Sequence, residues 1–530
     1  MLINASTNHP LRQPLFRALW IASIASSIGT WMQNVGGVWL MTSLTPSPLM
    51  VALMQTATSL PVFLVGLPAG ALADIVDRRR LLLFWQAWML LVAILLAVVT
   101  FLNVTTPWLL LGLTFALGLG AAMNAPAWQA IIPELVSRAD LPTAVTVNSA
   151  GFNVARALGP ALGGIIVAAA GPGAVFLLNA ASFVGVILVI YSWKRSPRKN
   201  ALPTERTIGA IRAGIRYLKY SPALRTVLVR TGVFIICGSA LWALLPLVAK
   251  QMGLGSFGYG VLLGCIGLGA VTGAFVLPRV RQKVSTDLLI VSATVVFASS
   301  TLALAYLRNL GLLYVALVAA GLAWIAIMSS FNVATQLAVP TWVQARSLGV
   351  YQLVFQGGLA IGSAIWGLTA EHFGNSAALS GAAIGLVVGL IAALPYRLIA
   401  SEKLDLTPSL HWPEPVVAIE LNPEEGPVLI TIEYRIDPER SHDFAEAMHA
   451  LSRVRRRDGA IRWSLWKDTA LPNRYLETYV VESWAEHLRQ HERMTVADLG
   501  EEARVRAFHI GDKPPLVSHL IYAHDTHGVR

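Results

Sequence analysis

Gly66-Leu67-Pro68-Ala69-Gly70-Ala71-Leu72-Ala73-Asp74-Ile75-Val76-Asp77-Arg78-Arg79-Arg80 decides how this chain is read. The stretch lies between two long apolar runs and closes on two aspartates and three arginines. A buried loop of a water-soluble protein would leave those charges without water. A short turn between two membrane-spanning helices would instead hold them at the cytoplasmic surface, because arginine does not cross the bilayer.

Composition agrees with a lipid solvent. Hydrophobic residues make up 55% of the 530 and charged residues 13%, against roughly 25% charged in ordinary globular chains. Mean hydropathy is +0.61, although the last quarter of the chain is ordinary and polar. Residues 15 to 398 carry the apolar runs, many of them near the ~20 residues a helix needs to cross hydrocarbon. The net charge of +11 would suggest nucleic acid in a soluble protein. Here cytosolic loops account for it, and no nucleic-acid partner is expected. The first apolar run, from Phe16, is too long for a cleavable leader and lacks a small-residue cleavage site. Cys237 and Cys265 both lie in apolar runs, with neither a disulfide framework nor metal spacing.

Apolar runs and turn signals predict twelve spans, at 16–42, 49–73, 81–102, 108–132, 143–169, 174–193, 226–249, 258–278, 287–306, 311–333, 348–371 and 376–397. Assigning the loops alternately to two sides places Arg78, Arg79, Arg80, Arg138, Lys194, Arg195, Arg198, Lys199, Arg279, Arg281, Lys283, Arg346 and Arg397 together. The other side holds only Lys250 and Arg308. That bias predicts cytoplasmic termini and a cytoplasmic central loop. The loop, 194–224, carries Ile208, Ile211, Ile215 and Leu218 at helical spacing, with Arg212, Arg216 and Lys219 on the other face. This suits an amphipathic helix on an anionic leaflet.

The central loop divides the spans six and six, and the halves share sequence weakly. Asn124-Ala-Pro-Ala-Trp-Gln129-Ala-Ile-Ile-Pro133, then Arg138, is echoed by Asn332-Val-Ala-Thr-Gln336-Leu-Ala-Val-Pro340, then Arg346. Gly70-Ala-Leu-Ala-Asp74 with Arg78 is echoed by Gly273-Ala-Phe-Val-Leu277 with Arg281. A parallel repeat of this kind predicts two packed bundles.

Several spans carry polar stripes. The first has Ser23, Ser27, Thr30 and Asn34 at helical spacing, with Gln33 adjacent. The fifth has Thr146, Ser149, Asn153 and Arg156 on one face. The tenth aligns Ser329, Asn332 and Gln336, and the eleventh Gln352 and Gln356. Lipid disfavours outward polar faces, so the stripes together predict a wet cavity. For any single Ser or Thr the alternative is a hydrogen bond between helices. Arg156 lies about halfway along its span, and a charge there costs at least ~2.5 kcal/mol on insertion scales. It attracts an anionic substrate, polarises a coupling site or locks helices together. No carboxylate lies at matching depth, since Glu134, Asp140 and Glu371 fall near span ends. Gly159, Pro160, Gly163 and Gly164 allow close helix approach and a bend. Trp242, Trp324 and Trp366 suit packing or the lipid interface, with stacking on an aromatic substrate the alternative.

Beyond a Pro- and Glu-rich linker the pattern changes to period two. Val428–Ile436 reads as a strand, followed by a helix with Phe444, Met448 and Leu451 on one face. Strands are predicted at 460–467, 474–483 and 516–523, with a second helix from Trp484. This β-α-β-β-α-β order predicts a ferredoxin-like sandwich. Trp463, Trp466, His487 and His491 invite a haem or oxygenase reading, which no nucleophile–base set or metal spacing supports. The run Arg453, Arg455, Arg456, Arg457 reads as a solvated face, with contact to anionic lipid the alternative.

With these residues in place, residues 70–80 resemble the signature loop of the major facilitator superfamily, with Asp77 where a second glycine is usual. Gly159-Pro160-Ala-Leu-Gly163-Gly164 resembles the antiporter signature of its exporters, with Ala155 in place of the leading glycine. Ser27-Ile-Gly-Thr-Trp31-Met-Gln33, Leu44-Thr-Pro-Ser-Pro48 and Pro340-Thr-Trp-Val-Gln-Ala-Arg346 resemble the transmembrane secretion effector group, to which the enterobactin exporter is related. Thr114 stands near the place of an arginine that many proton-coupled members carry. The resemblance implies an all-α, twelve-span, two-bundle fold and alternating access. It gives a gating role to Gly70, Asp74 and Arg78, whose aspartate would meet a helix end of the other half, while Arg79 and Arg80 remain topology anchors. The tail resembles antibiotic-biosynthesis-monooxygenase-like domains, whose sheets usually pair into dimers, and a dimerisation or regulatory module is expected of it.

The sequence therefore predicts an N-terminal bundle (1–193), a cytoplasmic linker with an amphipathic helix (194–224), a C-terminal bundle (225–398), a linker (399–427) and a cytosolic ferredoxin-like domain (428–530). The expected function is export of a small siderophore- or drug-like molecule, with the lipid bilayer and that molecule as partners. A proton is the candidate coupling ion, and a dimer through the tail is the candidate assembly. No cofactor, metal or enzymatic activity is expected, and no G-x-x-x-x-G-K loop for ATP occurs. The alternative is a membrane-tethered enzyme or sensor in which the tail carries the activity.

Overall fold

The structure, a computed structural model, describes residues 10–137, 140–193, 207–393, 396, 405–409, 411–413, 415, 417 and 422–522. Arg138, Lys194, Arg195, Arg198, Lys199, Arg397 and most of the 399–427 linker lie outside the described residues, as do the side chains of Asp74, Ile208, Ile211 and Arg212. The chain divides into two compact units. One comprises Met1–Leu202, Leu228–Asn332 and Gly349–Arg397, and the other Pro203–Val227, Val333–Leu348 and Leu398–Arg530.

The first unit is helical. Its elements are α1 (Pro14–Leu44), α2 (Pro48–Ile75), α3 (Arg78–Phe101), α4 (Pro107–Leu135), α5 (Leu141–Ala170) and α6 (Pro172–Ser192). After α7 (Thr207–Tyr220) come most of α8 (Pro222–Gln251), α9 (Gly255–Arg281), α10 (Thr286–Tyr306), most of α11 (Leu310–Leu337), most of α12 (Thr341–Phe373) and α13 (Asn375–Ala393). Local chemistry sets the boundaries. Ser47, Thr106 and Ser285 accept the backbone N–H of Met50, Leu109 and Leu288 as N-caps, and Pro48 and Pro107 stand at first helical positions. Asp77 caps α3 by accepting from the Arg80 amide at 3.0 Å, so the departure from the usual glycine has a structural role. Gly171 and Gly374, at φ +80° and +85°, end α5 and α12 in a conformation that glycine tolerates.

The apolar runs read from the sequence fall on long helices. Among the described residues, eleven helices are long and apolar enough to cross a membrane. The exception among the long helices is α1, 31 residues long, whose polar stripe lowers its hydropathy. Within the unit α1 packs on α5 and α6, α2 on α4, α3 on α4 and α6, α9 on α5, and α10 on α13. The repeat leaves a structural trace. Arg78 donates to Glu134 of α4 at 2.8 Å, and its echo Arg281 donates to Ser329 and Ser330 of α11 at 2.9 and 3.1 Å. Arg79 reaches the last carbonyls of α6, those of Ile190 and Tyr191.

The second unit holds α7, the turn between α11 and α12, and the tail. The tail runs β1 (Val428–Arg435), α14 (Ser441–Asp458), β2 (Arg462–Lys467), β3 (Arg474–Val481), α15 (Trp484–Arg493), α16 (Val496–Arg506) and β4 (Leu516–Ile521). Its sheet has the order β2-β3-β1-β4 and every pairing is antiparallel. Val428, Ile430, Ile432 and Tyr434 point alternately into a core shared with Phe444, Met448 and Leu451 of α14. The second helix is broken in two, because Thr495 and Asp498 form a capping box that starts α16.

One expectation needs correction. Arg455 is not solvated: it is 2% exposed and donates to Glu477, itself 0% exposed, at 3.2 Å. Trp463 Nε1 and the Tyr434 hydroxyl donate to the same carboxylate, so Trp463 holds the core together. Arg457 likewise pairs with Asp458 and Asp498 at 2.8 and 2.7 Å.

Candidate substrate cavity

Ten helices of the first unit enclose a cavity of about 390 Å³. Gln33 and Asn34 enter it from α1, Gln55, Thr58 and Ser59 from α2, and Thr114 from α4. Arg156 and Pro160 come from α5, Trp242 from α8, Tyr259 from α9, Trp324 from α11, and Phe355 and Gln356 from α12. Of the predicted residues, Gln33, Asn34, Arg156, Pro160 and Gln356 therefore meet around one void.

Ser27, Thr30, Ser149, Asn153, Asn332, Gln336 and Gln352 do not line it. Thr30 donates to the Ser26 carbonyl, and Asn153 to that of Ser149, each within its own helix. Such back-bonding satisfies a short polar side chain without any cavity. Gln336 accepts from Gln344 beside the α11–α12 turn. The polar cluster on α2 was missed, although Gln55 and Ser59 stand four residues apart and bond to each other at 3.0 Å. Asn179 of α6 was missed as well: it is 1% exposed and donates to Gln33, fixing that amide.

Arg156 is the one charged residue among the described lining residues, and no acid lines the cavity with it. Among the described residues its guanidinium has no hydrogen-bond or ion-pair partner. Part of the lining is aromatic. Trp242 and Trp324 meet edge to face at 5.3 Å, and Phe355 lies 6.3 Å from Trp324. Trp242 Nε1 is buried with no partner among the described residues, a donor that a bound acceptor would satisfy. The arrangement offers one cation, several amides and a π surface.

Small residues control how closely the surrounding helices approach. Gly159 and Gly163 of α5 lie against Trp31 and Met32 of α1. Gly164 meets Gly260 of α9, where an added Cβ would come within 2.9 Å of the Ser256 carbonyl oxygen. Further contacts close the same end of the unit, the end of α2 away from Arg78. Glu371 accepts from Ser47 Oγ at 2.5 Å and from the Leu49 amide at 3.0 Å, at the N-terminus of α2. Lys250 donates to the Thr42 carbonyl, and Trp39 stacks on Tyr259 at 6.1 Å. Gly70 is open, with nothing near its missing Cβ. Arg78 is tied to α4 in its own half.

The sequence profile of the transmembrane secretion effectors matches residues 5–527. The enterobactin exporter EntS of Citrobacter koseri is 27% identical over 390 residues, covering 72% of this chain and 91% of that protein. The multidrug efflux pump Tap of Mycolicibacterium fortuitum is 26% identical over 418 residues, covering 74% and 98%. In fold, the chain resembles a bacterial homologue of the human lysosomal transporter Spinster, solved inward-facing and unoccupied. The TM-score is 0.58 at 13% identity, covering 74% of this chain and 98% of that one. These likenesses are to transporters and lend no support to the alternative of a tail enzyme on a membrane anchor. This chain is a membrane transporter of the major facilitator type and belongs to the transmembrane secretion effector family.

Proposed function

We propose that the protein exports a small, aromatic, anionic molecule by alternating access through this cavity. The observation that carries the reading is Arg156: the one charge among the described lining residues, without a partner among the described residues, in a cavity that aromatic side chains also line. A charge at that depth is retained where it meets water or a counter-charge. A siderophore- or drug-like ligand fits this chemistry, in keeping with the similarity to an enterobactin exporter and a multidrug efflux pump. The membrane potential favours export of an anion from a negative interior, by ~2.3 kcal/mol per charge per 100 mV. A substrate that carries its own charge needs no carboxylate in the cavity, and a proton as coupling ion then has to act elsewhere.

In this reading all twelve long helices cross the membrane, α1 shielded from lipid by α5 and α6. The arginine bias sets both termini and the tail in the cytoplasm, and the end closed by Glu371 and Lys250 faces outward. Gly70, Asp74 and Arg78 belong to the inner gate, while Gly159, Pro160, Gly163 and Gly164 let α5 flex. The tail's strand order suits a ferredoxin-like sandwich. Its open sheet face, with Trp466, Leu516 and Leu520 more than half exposed, suits pairing with a second copy.

The test is uptake into energised inverted vesicles, with a panel of aromatic acids and their neutral amides. Arg156→Ala should cut uptake of the acids about tenfold or more, the scale of a lost charge-assisted contact, and leave any uptake of the amides. Equal loss for acids and amides would remove the anion reading.

A further inference from the structure

We infer that the tail is a releasable latch on the turn between α11 and α12, and that it slows opening of the cavity until it lets go. The second unit joins three segments far apart in sequence: α7, the turn at 338–340 with the helix ends beside it, and the tail. From α7, Tyr217 sets its ring edge-on to Trp342 at 5.8 Å, and Gly214 leaves room for the Arg346 side chain, whose Cβ would lie 3.3 Å from a Cβ added there. From the tail, the Arg493 guanidinium lies over the Trp342 ring, 4.4 Å from its centre. Arg457 sits 5.5 Å from the Tyr217 ring. Arg216 of α7 closes the joint, donating to Glu486 at 2.9 Å and to the Arg457 carbonyl at 3.3 Å.

The chemistry of this joint is that of a reversible contact. Arg493 is held by Glu486 at 2.6 Å and by the Asp458 carbonyl at 2.7 Å. Arg457 is held by Asp458 and Asp498. The tail's arginines are thus oriented and neutralised before they meet the rings, and three cations face three carboxylates. Ion pairs and cation–π contacts tolerate water on separation far better than an apolar core does. Arg216 of the linker helix, expected from the sequence to face an anionic leaflet, is instead engaged by the tail.

The turn is a strategic place to hold. It joins α11, which carries Trp324, to α12, which carries Phe355 and Gln356, and these residues line the cavity. Both helices run unbroken from the turn to the cavity, so restraint at 338–340 restrains the cavity wall. The linker helix α7 joins the two halves of the chain and meets the same latch.

The inference rests on the transporter reading, and a readout that needs no substrate keeps the two separable. In a Cys237→Ser, Cys265→Ser background, Gln356→Cys is labelled with a sulfonated, membrane-impermeant maleimide from the cytosolic face of inverted vesicles. Arg216→Ala and Trp342→Ala, each outside the tail's own core, should raise the labelling rate about fivefold or more, the range of ordinary allosteric coupling. Protease resistance of 428–522 checks that the tail stays folded. Deleting 428–530 should produce the same rise. Unchanged or slower labelling in all three variants would overturn the latch, whether or not any substrate moves. Faster labelling without flux of any compound would keep the latch and remove the export reading.

Discussion

Gly164 faces Gly260 with backbone almost touching backbone, and an added Cβ would fall 2.9 Å from the Ser256 carbonyl. Leucine there cannot be accommodated without pushing α5 off α9, since backbone atoms have no rotamer to yield. Gly164→Leu should therefore abolish uptake in inverted vesicles while retaining ligand binding, measured by tryptophan fluorescence of detergent-solubilised protein. Loss of binding as well would place the effect on folding. At this scale the sequence was legible for residues whose burial is unaffordable without a purpose. Arg156 is one; Gln33, Asn34 and Gln356 are others, and the cavity gathers all four. Hydroxyls were not legible in the same way. Ser23 and Thr30 close onto carbonyls of their own helix, so their spacing carries no information about where they point.

The tail shows what element-level patterns reveal and what they hide. Alternating hydrophobicity announced β1 and β3, whose inward residues are indeed buried in every second position. The arginine run on α14 gave no such guidance, because Arg455 finds its acid, and Arg457 one of its two, on other elements. The histidines carry a pH consequence. Burial first, then the neighbouring His519 and His491, pushes His487 down to about 3. Burial and His519 push His491 down to about 4. In the unfolded chain both titrate near 6.5, so between about pH 6.5 and 4 the unfolded tail binds more protons than the folded one. Folded stability is complete above that window and falls as pH drops through it. Burial works against ionisation of Glu486, but Arg493 and Arg216 outweigh it and hold its carboxyl below the usual range; its contribution is lost only at still lower pH. For His487 alone, 1% exposed, the loss is about 1.4 kcal/mol per pH unit below 6.5. Thermal melting of the tail in the intact protein, followed by proteolysis at pH 7.5 and 5.5, should show the drop. His487→Gln should flatten it. A melting temperature independent of pH would contradict the assignment.

For the whole molecule, the apolar runs and the weak repeat carried most of the architecture. The echo of Arg78 in Arg281 survives as equivalent ties from each arginine to the fourth long helix of its half. The composition of the second unit was hidden, because Arg216 and Glu486 lie 270 residues apart and nothing local links them. The closed end, with Glu371 at the start of α2, was equally hidden. The central claim is that one cavity between the halves is reached from each side in turn. The most direct measurement is the reactivity of Asn34→Cys, in the cysteine-free background, toward an impermeant thiol reagent applied to right-side-out and to inverted vesicles. The account predicts labelling from both faces, with transported ligand speeding one and slowing the other. Labelling from neither face, or rates that rise together on both, would contradict it.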